Sequence, residues 1–70
     1  MDEQTPQGLA AQQFMEHKGL GHLRPYDVEA VDDQPCWYFY YELPEGVLEL
    51  EVYWNGNAWE TCVYTFNVAQ

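Results

Sequence analysis

The chain has 70 residues and is strongly acidic, with 12 Asp and Glu against 2 Lys and Arg and a formal net charge of −10 at pH 7. Its 47% hydrophobic and 17% aromatic content lies outside the range of disordered chains, so we expect one small folded domain. Because phosphate backbones and anionic lipids are bound by clustered Lys and Arg, the charge argues against direct binding of nucleic acid or of a membrane.

A helix is predicted at residues 6–18, after a flexible tail at residues 1–5. Thr5 is a good N-cap residue, Pro6 suits the first helical position, and Gly19 is typical of a helix end. The apolar residues recur at helical spacing along one side: Leu9, Ala10, Ala11, Phe14 and Met15.

Strand patterns fill the rest of the chain, after a loop rich in Gly and Pro at residues 19–25. Residues 26–31 are a possible edge strand, followed by a turn at residues 32–35. Residues 36–66 predict a three-stranded meander, with strands near 36–43, 47–54 and 58–66 joined at Pro44-Glu45-Gly46 and Asn55-Gly56-Asn57. The predicted fold class is therefore α+β, with the N-terminal helix packed on one face of a three- to four-stranded antiparallel β-meander.

The register of the meander divides its side chains between two faces. If Glu45-Gly46 is a two-residue turn, Leu43 lies opposite Leu48 and Tyr41 opposite Leu50. One face is then apolar or aromatic throughout, and we expect the helix to cover it with Leu9, Phe14 and Met15. The apolar face consists of Trp37, Phe39, Tyr41, Leu43, Leu48, Leu50, Val52 and Trp54.

The opposite face has no second helix to cover it, so we expect it to be exposed. It carries tyrosines and carboxylates: Tyr38, Tyr40, Glu42, Glu49, Glu51, Tyr53 and Glu60. Like charges across neighbouring strands destabilise a sheet, so a dense acidic lattice here suggests a functional reason. Tyrosine is enriched in interfaces, which favours a protein-binding patch, although tyrosines on a solvated face also serve strand propensity. Trp59 joins either face, depending on the length of the Asn55 turn.

No residue pattern predicts a metal, a cofactor or a catalytic site. Cys36, Cys62, His17 and His22 lack paired ligand spacing, and we expect both cysteines to be reduced thiols on non-adjacent strands at different levels. A Cys62–His22 or Cys62–His17 nucleophile pair lacks a glycine-rich oxyanion turn. Glu49 and Glu51 are two carboxylates, as a glycosidase uses, but we expect them on an open sheet face. Such a face has no cleft that would desolvate one of them and raise its pKa. We therefore expect a protein that is not an enzyme.

The leading functional hypothesis is a small acidic protein that binds a basic surface of a protein partner. We expect that surface to be the nucleic-acid site of the partner, which the protein would then inhibit. In size and charge the chain is similar to phage inhibitors of host defence nucleases and to bacterial immunity proteins. A duplex site roughly 30 Å long carries about 18 phosphate charges, more than the 12 acids here, which favours steric blocking over full mimicry.

The alternative hypothesis is a structural or assembly subunit whose exposed aromatic sheet face packs into a larger complex or a homodimer. The first residues, Met1-Asp2-Glu3-Gln4, lack the basic start of a signal peptide. A cytoplasmic location is expected on that ground.

Overall fold

The computed structural model describes residues 5–31 and 35–67. In that part of the chain a single helix is followed by four strands in one antiparallel sheet of order β1-β2-β3-β4. The elements are α1 (Pro6–His17), β1 (Asp27–Val31), β2 (Cys36–Leu43), β3 (Gly46–Trp54) and β4 (Trp59–Asn67). The α+β prediction is confirmed, with the possible first strand formed at a sheet edge. Residues 1–4 of the predicted tail and residues 32–34 of the predicted turn lie outside the described residues.

Both ends of α1 follow the signals in the sequence. At the start, the Thr5 hydroxyl accepts a hydrogen bond of 2.9 Å from the Gly8 N–H, and Pro6 occupies the first turn. At the end, Gly19 has a φ of +77°, its N–H donates to the Glu16 carbonyl at 3.0 Å, and the Leu20 N–H donates to the Met15 carbonyl at 2.7 Å. These two bonds form a Schellman motif, which turns the chain back over the sheet.

The core lies between α1 and one face of the sheet. Its buried members are Ala11, Met15, Phe39, Tyr41, Leu48, Leu50 and Val52, with Phe14, Leu20 and Leu23 packed around them. The expectation that Leu9 covers the sheet is wrong, since Leu9 is 52% exposed. The buried side of α1 instead passes through Gly8, Ala11 and Met15, a spacing of three and four residues that leaves Leu9 on another side of the helix.

The turn between β2 and β3 differs from the predicted one by one position. Pro44 and Glu45 form the turn, and Leu43 pairs with Gly46 and Tyr41 with Leu48. Pro fixes φ near −65°, which suits the first central position of a turn, whereas Gly46 does not use a positive φ and serves as a strand residue. The pairing is shifted by two residues from the prediction, and because side chains alternate with period two, every residue keeps its predicted face.

A four-residue loop, Asn55 to Ala58, joins β3 and β4. The Asn55 Oδ1 accepts hydrogen bonds from the Asn57 N–H at 2.7 Å and the Ala58 N–H at 2.9 Å, and Gly56 has a φ of +106°. Trp54 therefore pairs with Trp59, and the two rings meet edge to face with centroids 5.2 Å apart. This loop length places Trp59 on the core side, where it packs against the buried cluster.

Candidate protein-binding face

The side of the sheet facing away from α1 carries all seven predicted site residues, and we call it the tyrosine–glutamate face. Tyr38, Tyr40, Glu49, Glu51 and Tyr53 are half-buried, while Glu42 and Glu60 are exposed. The central strands β2 and β3 supply six of the seven residues and β4 supplies Glu60. The face is thus built mainly on the two strands that are paired with a neighbour on both sides.

Tyrosine and glutamate alternate across this face. Tyr38 pairs with Glu51, Tyr40 with Glu49, and Tyr53 with Glu60. The expectation of like charges directly opposite one another is therefore wrong for these strands, because the Pro44-Glu45 turn sets a register in which carboxylates face phenol rings. Glu42, the remaining acid, lies opposite Val47.

Tyr40 is the most connected phenol of the face. Its hydroxyl lies 3.1 Å from Glu49 Oε2 and 3.1 Å from Glu29 Oε1, and so donates to one carboxylate or the other. Glu29 comes from β1 and was not predicted as a site residue. The exposed Tyr26 ring lies beside Tyr40, with centroids 6.4 Å apart. Tyr40 therefore joins β1 to the two central strands on this face.

Glu51 is held from three directions. The Tyr38 hydroxyl donates to Glu51 Oε2 at 3.2 Å, the Cys36 thiol lies 3.4 Å from the same oxygen, and the Tyr64 hydroxyl lies 3.5 Å from Oε1. Burial, followed by the hydrogen bond to Glu51, raises the pKa of the Cys36 thiol. The carboxylate charge of Glu51 raises the pKa of Tyr64. Cys36 and Tyr64 were not predicted as site residues. The length of the Asn55 loop sets which alternate residues of β4 lie on this face, so Tyr64 could not be assigned to it until that length was known.

Tyr53 and Asn55 hold Glu60 at one end of the face. The Tyr53 hydroxyl donates to Glu60 Oε1 at 3.0 Å, and the Asn55 side-chain amide donates to Glu60 Oε2. The hydrogen bond to Glu60 raises the pKa of Tyr53 to about 12. A phenol is protonated in the neutral range in any case, and the proximity of Glu60 extends the protonated, donating form of Tyr53 to higher pH.

The pKa values of the two central tyrosines are raised as well, for different main reasons. The charge of Glu51 raises the pKa of Tyr38 to about 12. Burial, together with the hydrogen bonds to Glu29 and Glu49, raises the pKa of Tyr40 well above its usual value. The neighbouring carboxylates thus extend to higher pH the range in which the Tyr38 and Tyr40 hydroxyls are neutral and donate hydrogen bonds.

The two cations of the chain lie away from this face. Lys18 Nζ lies over the Phe14 ring on the helix side, 5.5 Å from its centroid. Arg24 Nη1 donates to the carbonyls of Gly21 at 2.8 Å and Leu23 at 3.0 Å in the loop after α1. The hydrogen bonds described above for the carboxylates of the face come from phenol, thiol and amide groups, which are neutral donors.

A shallow cavity of about 300 Å³ adjoins the face near Glu51. It is lined by Pro35, Cys36, Glu51, Tyr53, Trp54 and Cys62. Both cysteines are free thiols, and they lie on β2 and β4 with β3 between them, opposite different β3 residues. Among the residues that the structure describes, no group of three or more His, Cys, Asp or Glu is arranged to hold a metal ion.

The histidines considered with these cysteines lie elsewhere. His17 ends α1 and His22 is in the loop that follows, whereas Cys36 and Cys62 are on the face turned away from α1. Within residues 5–31 and 35–67, no helix is long and apolar enough to cross a membrane. Scans of protein-family models, curated proteins and solved structures found no match to this chain.

Proposed function

We propose that the protein acts by binding, without catalysis, and docks its tyrosine–glutamate face on a basic surface of a protein partner. The observation that carries the proposal is the set of carboxylates bonded by neutral donors, with Glu49 and Glu51 at its centre. A carboxylate paired with Lys or Arg is neutralised within its own chain, whereas one bonded to a phenol keeps its full charge. The face therefore presents fixed negative charge that a cationic partner neutralises.

The hydrogen bonds also prepare the face for binding. A free glutamate side chain loses rotamer entropy when a partner immobilises it, and that loss reduces affinity. Tyr38 and Tyr40 already restrain Glu51 and Glu49 in the free protein. Part of the rotamer entropy of these glutamates is therefore lost on folding and not on binding. Each carboxylate oxygen has more than one lone pair, so a carboxylate bonded to a phenol still accepts from a partner.

Arginine is the side chain that suits this arrangement best. A guanidinium group binds a carboxylate through two parallel N–H donors and also stacks on aromatic rings, whereas an ammonium group does neither as well. Across the face each central glutamate lies directly opposite a tyrosine, as in the Tyr40–Glu49 pair, which offers both contacts to one guanidinium. We therefore expect the partner to present arginines, as the nucleic-acid sites of proteins do, and occupation of such a site to inhibit the partner.

The test uses a deca-arginine peptide as a probe, with deca-lysine for comparison. Binding is measured by calorimetry at low and at moderate salt, and by the amide shifts of isotope-labelled protein. We expect deca-arginine to bind more tightly than deca-lysine, to weaken as salt rises, and to shift the signals of β2 and β3 more than those of α1.

Matched variants separate the face from the net charge. The Glu49→Gln/Glu51→Gln variant removes two carboxylates from the centre of the face. The Glu16→Gln/Glu45→Gln variant removes two exposed carboxylates from the helix end and a turn. Both change the net charge equally, so we expect only the first to lower affinity by about tenfold, the equivalent of about 1.4 kcal/mol. Equal losses in the two variants, or binding that is insensitive to salt, would show that the face is not an electrostatic docking site.

A further inference from the structure

Among the described residues, the outer edge of β4 has no paired strand. β4 is the last strand in the sheet order, and within residues 5–31 and 35–67 only β3 pairs with it. Edge strands of natural proteins are commonly protected by Lys, by Pro, by a bulge or by their shortness. β4 has nine residues, contains neither Lys nor Pro, and has Glu60 as its one charged residue. It is therefore an unprotected edge.

Exposed apolar side chains are concentrated on this strand. Val63 is 42% exposed, Tyr64 47% and Phe66 53%, so both faces of β4 present apolar surface beside the open edge. On the helix side, a cavity of about 360 Å³ lined by Phe14, Lys18, Leu20, Leu48 and Val63 opens next to the strand. Exposed apolar surface next to unpaired backbone is typical of a strand-pairing interface.

The sequence of β4 is complementary to itself in an antiparallel pairing. With the two-fold axis at Val63, all nine residues of each strand pair, and Val63 meets Val63 of the second copy. Thr61 then lies opposite Thr65, and Cys62 opposite Tyr64, of the second copy. Glu60 meets the ring of Phe66 of the second copy, so no carboxylate faces another carboxylate along the shared edge. Thr–Thr and β-branched pairs are favourable across antiparallel strands.

The other edge of the sheet is less suited to such pairing. β1 has five residues, and two of them, Asp27 and Glu29, are acidic. A symmetric β1 pair centred on Glu29 would bring two carboxylates face to face, and a β1–β4 pair would use only part of the longer strand. Of the two edges, β4 is the one that a second copy matches.

We propose that the protein forms a homodimer in which the β4 strands of two copies pair in an antiparallel manner about Val63. The product is a continuous eight-stranded sheet, with both helices on one side and both tyrosine–glutamate faces on the other. Dimerisation doubles the docking surface, but it depends on the edge of the sheet alone and stands or falls independently of the function proposed above.

Charge gives the dimer an identifiable salt dependence. Each copy carries a formal charge of −10, so two copies repel each other at low salt, and screening reduces that repulsion. We expect dimerisation to strengthen between about 0.05 and about 0.5 M salt, because the Debye length is about 10 Å at 0.1 M and shortens as salt rises. Docking on a basic partner responds to salt in the opposite direction, which separates the two interactions.

Sedimentation equilibrium of the full chain, over a range of concentrations at both salts, tests the proposal. The Val63→Lys variant places two cations at the two-fold axis, and we expect it to weaken the dimer by about tenfold or more. The matched control is Ala30→Lys, which adds the same charge at an exposed position of the β1 edge and, because it slightly lowers the repulsion between copies, should not weaken the dimer. Circular dichroism checks that both variants fold.

A charge-swap experiment completes the test. Val63→Glu alone should also weaken the dimer, and a mixture of the Val63→Lys and Val63→Glu variants should recover it, because Lys and Glu then meet at the axis. A native chain that stays monomeric at both salts would overturn the proposal. So would a dimer that survives in both variants, or one that Ala30→Lys weakens equally.

Discussion

The hydroxyl of Tyr40 is the most direct test of how the tyrosine–glutamate face is held together. Tyr40→Phe removes one donor and leaves the ring in place, so packing changes little. A hydrogen bond to a charged group contributes about 1.5 to 3 kcal/mol to stability, and exposure to solvent reduces such interactions to below about 1 kcal/mol. Because Glu49 is half-buried and Glu29 exposed, we expect the variant to lose about 1 kcal/mol. That loss lowers the midpoint of thermal unfolding by about 4 to 8 °C for a domain of this size.

The assay is urea unfolding of wild type and variant, followed by circular dichroism. Tyr26→Phe is the matched control, since no hydrogen bond of its hydroxyl is seen within the described residues and its ring is exposed; we expect its effect to stay within about 0.5 kcal/mol. A double-mutant cycle of Tyr40→Phe with Glu49→Gln should give a coupling energy of about 0.5 kcal/mol or more. Additive effects in that cycle, or equal effects of the two Tyr→Phe changes, would refute the account.

Two further predictions concern the tyrosines and the core. Folding raises the pKa of Tyr38, Tyr41 and Tyr53 to about 12. The contribution of these shifts to the free energy of unfolding is fully present below the unfolded pKa of about 10 and is lost as pH rises through about 12. The free energy of unfolding should therefore fall over that pH interval. Tyrosinate absorbance measured together with circular dichroism checks this, and ordinary ionisation near pH 10 in a chain that stays folded would contradict it. Met15→Ala should cost about 2 to 5 kcal/mol, a large part of the roughly 4 to 10 kcal/mol expected for the domain. Leu9→Ala, at an exposed position, should cost far less in the same denaturant titration, and similar losses would show that the helix packs differently.

Local signals in the sequence were sufficient for the elements of the fold. The Thr5-Pro6 start and Gly19 end of α1 act within a few residues, and both are found where such signals place them. The side of the helix that meets the sheet was harder to predict, because Leu9 and Met15 are equally apolar. In the folded protein the helix packs on the sheet through the side that carries Gly8 and Ala11. The hydrophobic pattern of the sequence alone does not predict which side that is.

The faces of the sheet were predictable even though the turn was not. Both the predicted Glu45-Gly46 turn and the observed Pro44-Glu45 turn keep Tyr38 and Glu51 on the same side, since the two registers differ by an even number of residues. What the sequence did not reveal is which residue lies opposite which. Turn geometry sets that register, and a one-position error in the turn moves each cross-strand partner by two residues.

This difference in register changes the effect that the acidic residues are expected to have on stability. In the predicted register Glu42 would lie opposite Glu49, with Glu51 beside Glu49 on the same face of the strand, so replacement of Glu49 and Glu51 by Gln would stabilise the sheet by removing repulsion. With Tyr40 opposite Glu49 and Tyr38 opposite Glu51, the same replacement also removes two charge-assisted hydrogen bonds, so the gain and the loss offset each other. Stability is then a poor measure of whether the charge is functional. Affinity for a cationic probe is the measure that responds to the charge itself, and comparison with a variant of equal net charge isolates the contribution of the face.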